Sequence, residues 1–221
     1  MRYKAVRKGR YQAGREVDTE SETDSYNYGL VVAQESNQEY FALAIELSEE
    51  YGIPLGKFAE CAIEGEVPDD EDFWNENMPD SVDRDRLSIE LEAVEYEGAA
   101  EVVVGLREAL VERVREETDP FRPSRLTSIF ACDTIDDVRR YRAEHTDSRV
   151  QYVECSIETI HESASFRGDM HLLDRIDLVC MDTEAAARYA RRYWEGQATP
   201  DPLYETLLQG RFRFGAPVVK K

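Results

Sequence analysis

The sequence predicts an α+β fold in which strands and helices mix within one domain of 221 residues. Segments with the alternating polarity of half-buried strands are separated by segments whose apolar residues recur at helical spacing. No G-x-G-x-x-G or G-x-x-x-x-G-K-[ST] loop occurs, which disfavours a doubly wound parallel nucleotide-binding fold. A chain of this length can bury one sizeable core, so we expect a single domain over 1–221.

The N-terminal half is predicted to contain one strand and two helices. Residues 2–7 are a short strand candidate. Over 36–51 apolar residues recur at helical spacing until a Gly-Ile-Pro sequence ends the segment, and a shorter helix is predicted over 55–61. The stretch 68–86 combines acidic residues and prolines without periodicity, so we expect a solvated loop there.

Residues 101–118 carry an unambiguous helical pattern. One stripe of apolar side chains is predicted to face the core, and Glu108 and Arg115 lie away from that stripe. Two prolines then end the helix, because the residue before a proline disfavours helical geometry. The predicted stripe consists of Val103, Leu106, Leu110 and Val114.

Short strands and helices alternate over the rest of the chain. Polar residues that cap helix N-termini and glycines that end helices mark the boundaries. The predicted elements are, in chain order, a strand over 126–131, a helix from Thr134 to Tyr141, a strand over 153–157, a helix between Asp182 and Gly196, and a strand over 203–208 that Gly210 breaks.

The composition predicts adaptation to high intracellular salt. The formal net charge is −20, the sequence pI is about 4.6, and only five residues are lysine. At molar salt the Debye length falls to about 3 Å, which screens repulsion between surface acids. The acids spread along the whole chain, which favours this interpretation over an acidic mesophilic protein or a mimic of nucleic acid. Broad non-specific binding of nucleic acid is not expected, because it needs clustered Lys and Arg.

Neither a membrane anchor nor a metal centre is expected. No run of 18 apolar residues occurs, and the basic N-terminus lacks the apolar run of a signal peptide, so we expect a cytoplasmic, high-salt location. The four cysteines and three histidines are widely spaced, without a C-x-x-C pair. A zinc site can still assemble through folding, but the prediction from spacing is no metal.

A single carboxylate, Glu205, lies inside the apolar segment LYETLL near the C-terminus. A period of two places it on one face of a strand with Leu203 and Leu207. An ionised Glu on a buried row costs on the order of several kcal/mol unless it is paired or opens on a cleft. Two interpretations follow: a buried ion pair with an arginine such as Arg125 or Arg188, or a catalytic carboxylate at the lip of a pocket.

Three motifs in a fixed order carry a resemblance to known families. They are PSR-x-x-S-I-F at 123–130, YW-x-G at 193–196 and E-x-L-x-x-G-x-x-x-F at 205–214. In this order they resemble an uncharacterised microbial family known as domain of unknown function 2441. More distantly, they resemble the ADP-ribosyltransferase fold of RNA 2′-phosphotransferases, poly(ADP-ribose) polymerases and bacterial toxins. The resemblance covers roughly 1–17 and 100–215.

The resemblance implies a split mixed sheet with flanking helices, a helical and acidic insertion at 30–98, and NAD as the ligand. In that fold an N-terminal strand supplies His or Arg, a middle strand supplies Ser or Tyr, and a late strand supplies Glu. Glu205 would bind the 2′-hydroxyl of the nicotinamide ribose and favour the oxocarbenium-like transition state. Ser128 would hold the same ribose, unless its hydroxyl is an ordinary strand hydroxyl bonded to neighbouring backbone.

The resemblance also implies that Tyr3, Lys4 and Arg125 contact the cofactor. The first strand has no His, and Leu203 stands two positions before the carboxylate where arginine-modifying members have Glu or Gln. A second interpretation therefore stays open: a non-enzymatic structural or interaction protein of a larger assembly. On that interpretation, self-association or binding of a protein partner is expected through 30–98.

Overall fold

A computed structural model of the chain describes residues 1–21, 35–64, 83–92, 102–146 and 148–218. Within these ranges the protein is a mixed α+β structure with one five-stranded sheet and seven helices. The predicted α+β class is therefore confirmed. Most of the loop predicted over 68–86 lies outside the described residues, but residues 84–86 begin a helix, so the loop prediction is wrong for them. No helix within the described ranges is long and apolar enough to cross a membrane.

The elements follow one another in a mixed order along the chain. The strands are β1 (Arg2–Arg7), β2 (Glu16–Asp18), β3 (Ile129–Ala131), β4 (Tyr152–Asp169) and β5 (Tyr204–Pro217). The helices are α1 (Glu35–Tyr51), α2 (Leu55–Glu64), α3 (Arg84–Glu92), α4 (Val102–Thr118), α5 (Ile135–His145), α6 (Met170–Leu173) and α7 (Thr183–Trp194).

The two long strands, β4 and β5, organise the sheet. Strand β1 pairs with the first part of β4, β4 pairs with β5, and β2 pairs with the second part of β5, all antiparallel. Strand β3 pairs with the first part of β5, and a backbone bridge between Tyr3 and Cys132 joins β1 to the end of β3. These contacts close β1, β4, β5 and β3 into a ring, so the N-terminal strand, β3 and the start of β5 lie together.

Strand β5 continues through Gly210, where the sequence predicted a break. Gly210 has φ 121°, which is unfavourable for residues with a Cβ. A Cβ at this position would lie 2.1 Å from the carbonyl oxygen of His161 on β4. The β4–β5 register shifts on both sides of this point, between Thr159 and His161 and between Glu162 and Ala164. Glycine at this position therefore allows the β4 backbone to approach β5 closely at a β-bulge, and β5 continues past it.

Two hydrophobic clusters hold the fold together. The smaller cluster comes from all five strands and includes the buried rings of Phe212 and Phe214. The larger one packs α1, α2, α4 and α7 against the sheet, with Tyr193 and Trp194 fully buried. The indole nitrogen of Trp194 donates to the carbonyl oxygen of Val111 at 2.8 Å, which joins α7 to α4. The two adjacent aromatic residues at the end of α7 therefore lie in the core.

The buried face of α4 differs from the predicted stripe. Val103 is 45% exposed, whereas Glu108 and Arg115 are buried at 2% and 8% exposure. The reason is tertiary: α4 contacts α1, α2 and α7, so more than one side of the helix is covered. The remaining stripe positions, Leu106, Leu110 and Val114, are buried as predicted.

The sequence correctly predicted the N-termini of α5 and α7 and the C-terminus of α7. The hydroxyl of Thr134 accepts from the backbone N–H of Asp137 at 3.1 Å, and Asp182 caps α7 in the same way through Ala185. Gly196 follows α7 with φ 74°. Helix α5 extends one turn beyond the predicted Tyr141, to His145, and the strand predicted over 126–131 is limited to β3.

Candidate functional site

The start of β5 places Glu205 in a buried polar cluster. Its side chain accepts from the hydroxyl of Tyr193 at 2.7 Å, and the guanidinium of Arg125 bonds the same oxygen, Oε1, in a short ion pair. Arg125 also donates from Nε to Oε2 of Glu108 at 2.9 Å and from Nη1 to the Tyr193 hydroxyl at 3.0 Å. Glu108, Arg125, Tyr193 and Glu205 are hereafter the Arg125 cluster. All four are at most 5% exposed.

One guanidinium serves two carboxylates in this cluster. Burial alone raises the pKa of Glu108, but Arg125 and Arg107 outweigh it and hold that pKa below its ordinary value. Burial lowers the pKa of Arg125, but Glu108 and Glu205 outweigh it and raise that pKa well above its ordinary value. Burial, and then the charge of Glu205, raise the pKa of Tyr193 well above its ordinary value. At neutral pH the cluster therefore holds one cation, the Glu108 anion and a neutral phenol around the Glu205 carboxyl.

The structure contains the ion pair that the sequence left open for Glu205. Its partner is Arg125, and the other arginine considered, Arg188, is exposed on α7. Glu205 is 3% exposed, so its carboxyl faces the interior in this arrangement. A catalytic role for Glu205 stays a prediction, and it requires the carboxyl to exchange a buried partner for a substrate hydroxyl.

The predicted Ser128 lies immediately before β3 and is 3% exposed. Its hydroxyl donates to the backbone carbonyl of Ser124 at 2.5 Å. This bond closes a tight turn that also carries Arg125, so Ser128 positions the segment that delivers the guanidinium to Glu205. A role for its hydroxyl on a ribose stays a prediction.

Strand β1 contributes the other two predicted residues. The ammonium of Lys4 donates to the carbonyl of Phe130 at 2.9 Å and lies 5.9 Å from the centre of the Phe130 ring. The backbone of Tyr3 pairs with Cys132, and its hydroxyl contacts the sulfur of Met1 at 3.7 Å. The sequence thus identified five residues that the fold brings onto three adjacent segments. They are Tyr3, Lys4, Arg125, Ser128 and Glu205.

Phe130 lies at the centre of these segments. Its ring is half-buried, and the guanidinium of Arg125 lies 4.8 Å from the ring centre. The neighbouring Cys132 has its pKa raised to about 12, first by burial and then by Asp137 and Glu205, while Lys4 opposes the shift. Glu205 and Lys4 therefore both lie within electrostatic range of this one thiol.

Sequence reasoning missed Glu108 as a member of the cluster. It was predicted to lie away from the core because it stands outside the apolar stripe of the helix, and the partner that buries it is distant in the sequence. Tyr193 carried a usable signal, since an aromatic residue with a polar tip on an apolar helix face commonly finds a buried partner.

A second group of titratable side chains lies at the end of α5. The side chains of Glu144, His145 and His171 place one possible metal-ligand atom each within 4.8 Å of one another. The hydrogen bond from His171, together with Arg140, holds the pKa of Glu144 below its ordinary value. Burial lowers the pKa of His171, but Glu144 and the backbone of Asp201 raise it above its ordinary value overall.

Comparison with known proteins identifies one family. The family described as "Protein of unknown function (DUF2441)" matches residues 2–218. No curated protein matches the chain. Since the family match covers almost the whole sequence, this chain belongs to the DUF2441 family.

Proposed function

We propose that this protein is ADP-ribosyltransferase-like and binds NAD where β1, β3 and the start of β5 meet. The observation that supports this best is the convergence of the three segments that the resemblance names. Ala131 on β3 pairs with Thr206, the residue after Glu205, and Lys4 on β1 donates to the backbone of Phe130. Elements far apart in sequence therefore deliver an aromatic ring, two cations and a carboxyl to one region.

These groups suit a dinucleotide by their chemistry. The half-buried ring of Phe130 offers a face to a planar nicotinamide or adenine ring. Lys4 lies near that ring and is suited to the negative charge of a diphosphate. Arg125 also lies near the ring but is paired with Glu108 and Glu205, so its contact with the cofactor requires that it exchange one of these partners. Tyr3 precedes Lys4 on the same strand, so its side chain points to the opposite face, and its hydroxyl can reach a ribose oxygen only at the edge of this region.

Cleavage of NAD makes a further demand on Glu205. A ribose hydroxyl has to replace Arg125 or Tyr193 as the partner of the carboxyl. Loss of one partner from a buried ion pair costs about 3–5 kcal/mol, which slows a reaction by roughly 10²–10⁴ when the loss falls on the transition state. We therefore propose NAD binding as the primary activity, with transfer of ADP-ribose slow and dependent on release of Glu205.

Calorimetric titration with NAD, combined with an assay of nicotinamide release, tests the proposal in concentrated KCl. We expect saturable binding that Lys4→Ala weakens at least tenfold, because one cation near the diphosphate is lost. Lys8→Ala is the matched control, because Lys8 directly follows β1, is exposed and bonds Gln151. Any nicotinamide release should disappear in Glu205→Gln. Absence of NAD binding to the folded protein contradicts the proposal.

The second candidate is a non-enzymatic interaction protein. It is favoured by the state of Glu205, which is 3% exposed and bonded to two buried partners, as expected for a structural residue. This function predicts no heat with NAD and a stable assembly through 30–98. Light scattering at micromolar protein concentration measures the self-association, and a monomer that binds NAD contradicts this second candidate.

A further inference from the structure

The C-terminal end of α5 meets α6 at a compact group of nitrogen and oxygen ligands. Glu144 and His145 are the last two residues of α5, and His171 is the second residue of α6. Asp174, which follows α6, places its Oδ2 3.6 Å from the Nε2 of His145. These residues come in two pairs from two segments that are not adjacent in sequence, so the fold assembles the group.

His171 has the orientation of a metal ligand. Its Nδ1 lies 2.8 Å from the backbone carbonyl of Asp201, and a carbonyl can only accept, so Nδ1 carries the hydrogen. The other ring nitrogen, Nε2, is directed at Oε2 of Glu144 at 2.9 Å. A proton on Nε2 makes this contact a hydrogen bond to Glu144, and a metal ion can take the place of that proton. An Nδ1–H that donates to a backbone carbonyl, with Nε2 free for the ion, is typical of metal-binding histidines.

The position of His171 is fixed by a buried carboxylate. Asp169 is fully buried and caps α6 by accepting from the backbone N–H of His171 at 3.1 Å. It also accepts from the backbone N–H groups of Leu203 and Thr199 and from the Thr199 hydroxyl. These bonds tie α6 to the segment that contains Asp201. The imidazole is therefore held in place before any ligand arrives.

Among the described residues, the buried Nε2 of His145 has no hydrogen-bond partner. The same atom lies 3.8 Å from Oε2 of Glu144 and 3.6 Å from Oδ2 of Asp174. A buried polar nitrogen without a partner is unfavourable, and a cation bound between it and Glu144 removes this cost.

The spacing of the ligands fits zinc. In a tetrahedral site with bonds of about 2.0–2.1 Å, neighbouring ligand atoms lie about 3.3 Å apart. The separations of 2.9 Å between Glu144 Oε2 and His171 Nε2 and of 3.8 Å between Glu144 Oε2 and His145 Nε2 lie on both sides of this value. Two imidazoles and one carboxylate are ligands that zinc accepts, whereas magnesium and calcium prefer sites made of oxygen alone.

The surrounding charge also favours a dication. Arg140 donates to Oε1 of Glu144 at 2.9 Å and pairs with Asp201 at 2.7 Å, which orients Glu144 and leaves its Oε2 directed at the histidines. Two carboxylates, those of Glu144 and Asp201, thus share one guanidinium, and Asp174 adds a third negative charge next to His145. The region keeps an excess of negative charge when both histidines are neutral.

We propose that Glu144, His145 and His171 bind one zinc ion that joins α5 to α6. Three protein ligands leave the fourth position of a tetrahedral site to water. The prediction of no metal from the sequence rested on the wide spacing of the histidines, which folding overcomes here. This site does not depend on NAD binding, because it lies outside the segments proposed to bind NAD.

Calorimetric titration of chelator-treated protein with zinc chloride tests the site. We expect saturable binding of one ion per chain, weakened at least tenfold by His145→Ala and by His171→Ala. His161→Ala is the matched control, since His161 is exposed on β4. Cys180→Ser is a second control, because Cys180 is an exposed free thiol that can bind zinc adventitiously. Both controls should keep the wild-type affinity.

Two further readouts separate a bound metal from a proton shared by Glu144 and His171. Cobalt(II) should give the intense visible spectrum of a tetrahedral site in the wild type and in His161→Ala, but not in His171→Gln. Zinc should raise the melting temperature of the wild type and leave His171→Gln unchanged. Circular dichroism checks that each variant is folded. No saturable zinc binding, or equal affinity in His171→Ala and His161→Ala, overturns the proposal.

Discussion

Replacement of Arg125 by methionine tests whether the Arg125 cluster is a structural centre of the fold. Methionine keeps most of the apolar length of the side chain and removes the guanidinium. Glu108 and Glu205, which are 2% and 3% exposed, then lose the cation that they share. Arg107 stays 3.3 Å from Glu108, so Glu205 is the carboxyl left with only a phenol.

The expected loss follows from the burial of these groups. Removal of one partner from a buried ion pair destabilises a protein by about 3–5 kcal/mol. The losses at Glu108 and Glu205 share one guanidinium and therefore do not add. For a domain of this size each kcal/mol lowers the melting temperature by about 2–4 °C, so Arg125→Met should lower it by about 6–20 °C.

Urea denaturation followed by circular dichroism at constant KCl measures the free energy of unfolding. Arg188→Met is the matched control, because Arg188 is exposed and should change stability by no more than about 0.5 kcal/mol. A variant that combines Arg125→Met with Glu108→Leu and Glu205→Leu should recover much of the loss, since no charge then stays buried. A loss below about 1 kcal/mol for Arg125→Met would refute the reasoning.

Three further predictions concern neighbouring features. Tyr193→Phe removes the hydroxyl that donates to Glu205 and should cost about 1–3 kcal/mol in urea denaturation; an unchanged midpoint would show that this bond contributes nothing. The folded-state pKa of Glu108 lies below its ordinary value of 4.5, so its stabilisation is complete above that pH and is lost as the pH falls through the folded-state pKa. Glu108→Gln should therefore lose less stability than the wild type between pH 5 and pH 3, and parallel losses would contradict this assignment. Gly210→Ala should destabilise the protein, whereas Gly9→Ala, with no atom within 4 Å of the added Cβ, should not; equal melting temperatures would exclude strain at Gly210.

The local parts of the fold were predictable from the sequence. Thr134 and Asp182 cap helices because their side chains reach backbone N–H groups three residues ahead, which needs no information from distant segments. The same holds for the alternating pattern around Cys155 and Ile157, which are both buried on β4.

Features that depend on distant partners were less accessible. Glu108 is buried because Arg125 reaches it from a turn seventeen residues later, and nothing in the sequence of α4 indicates that partner. A glycine inside a strand pattern commonly indicates an irregularity, so the sequence predicted a break at Gly210. Its actual role is to leave room for the carbonyl of His161 on another strand, which the sequence around Gly210 does not show. The two histidines of the proposed zinc site lie on α5 and α6. The long strand β4 separates these helices in the sequence, so the histidines come together only in the folded chain.

The candidate NAD site was predictable from the sequence only in part. Period-two alternation identified Glu205 as an exceptional carboxylate, and Arg125 was named as one possible partner. The sequence did not show which of the two interpretations of Glu205 applies, because burial of a strand end depends on the helices packed against it. Here α7 supplies Tyr193 and α4 supplies Glu108, and together they enclose the carboxyl.

A crystal structure of the protein grown at saturating NAD in concentrated KCl tests the central claim most directly. We expect the dinucleotide where β1, β3 and β5 meet, with one aromatic ring against Phe130 and the diphosphate within reach of Lys4. NAD bound to a different surface, or the junction of β1, β3 and β5 left without ligand at a concentration that saturates the calorimetric titration, would contradict the account.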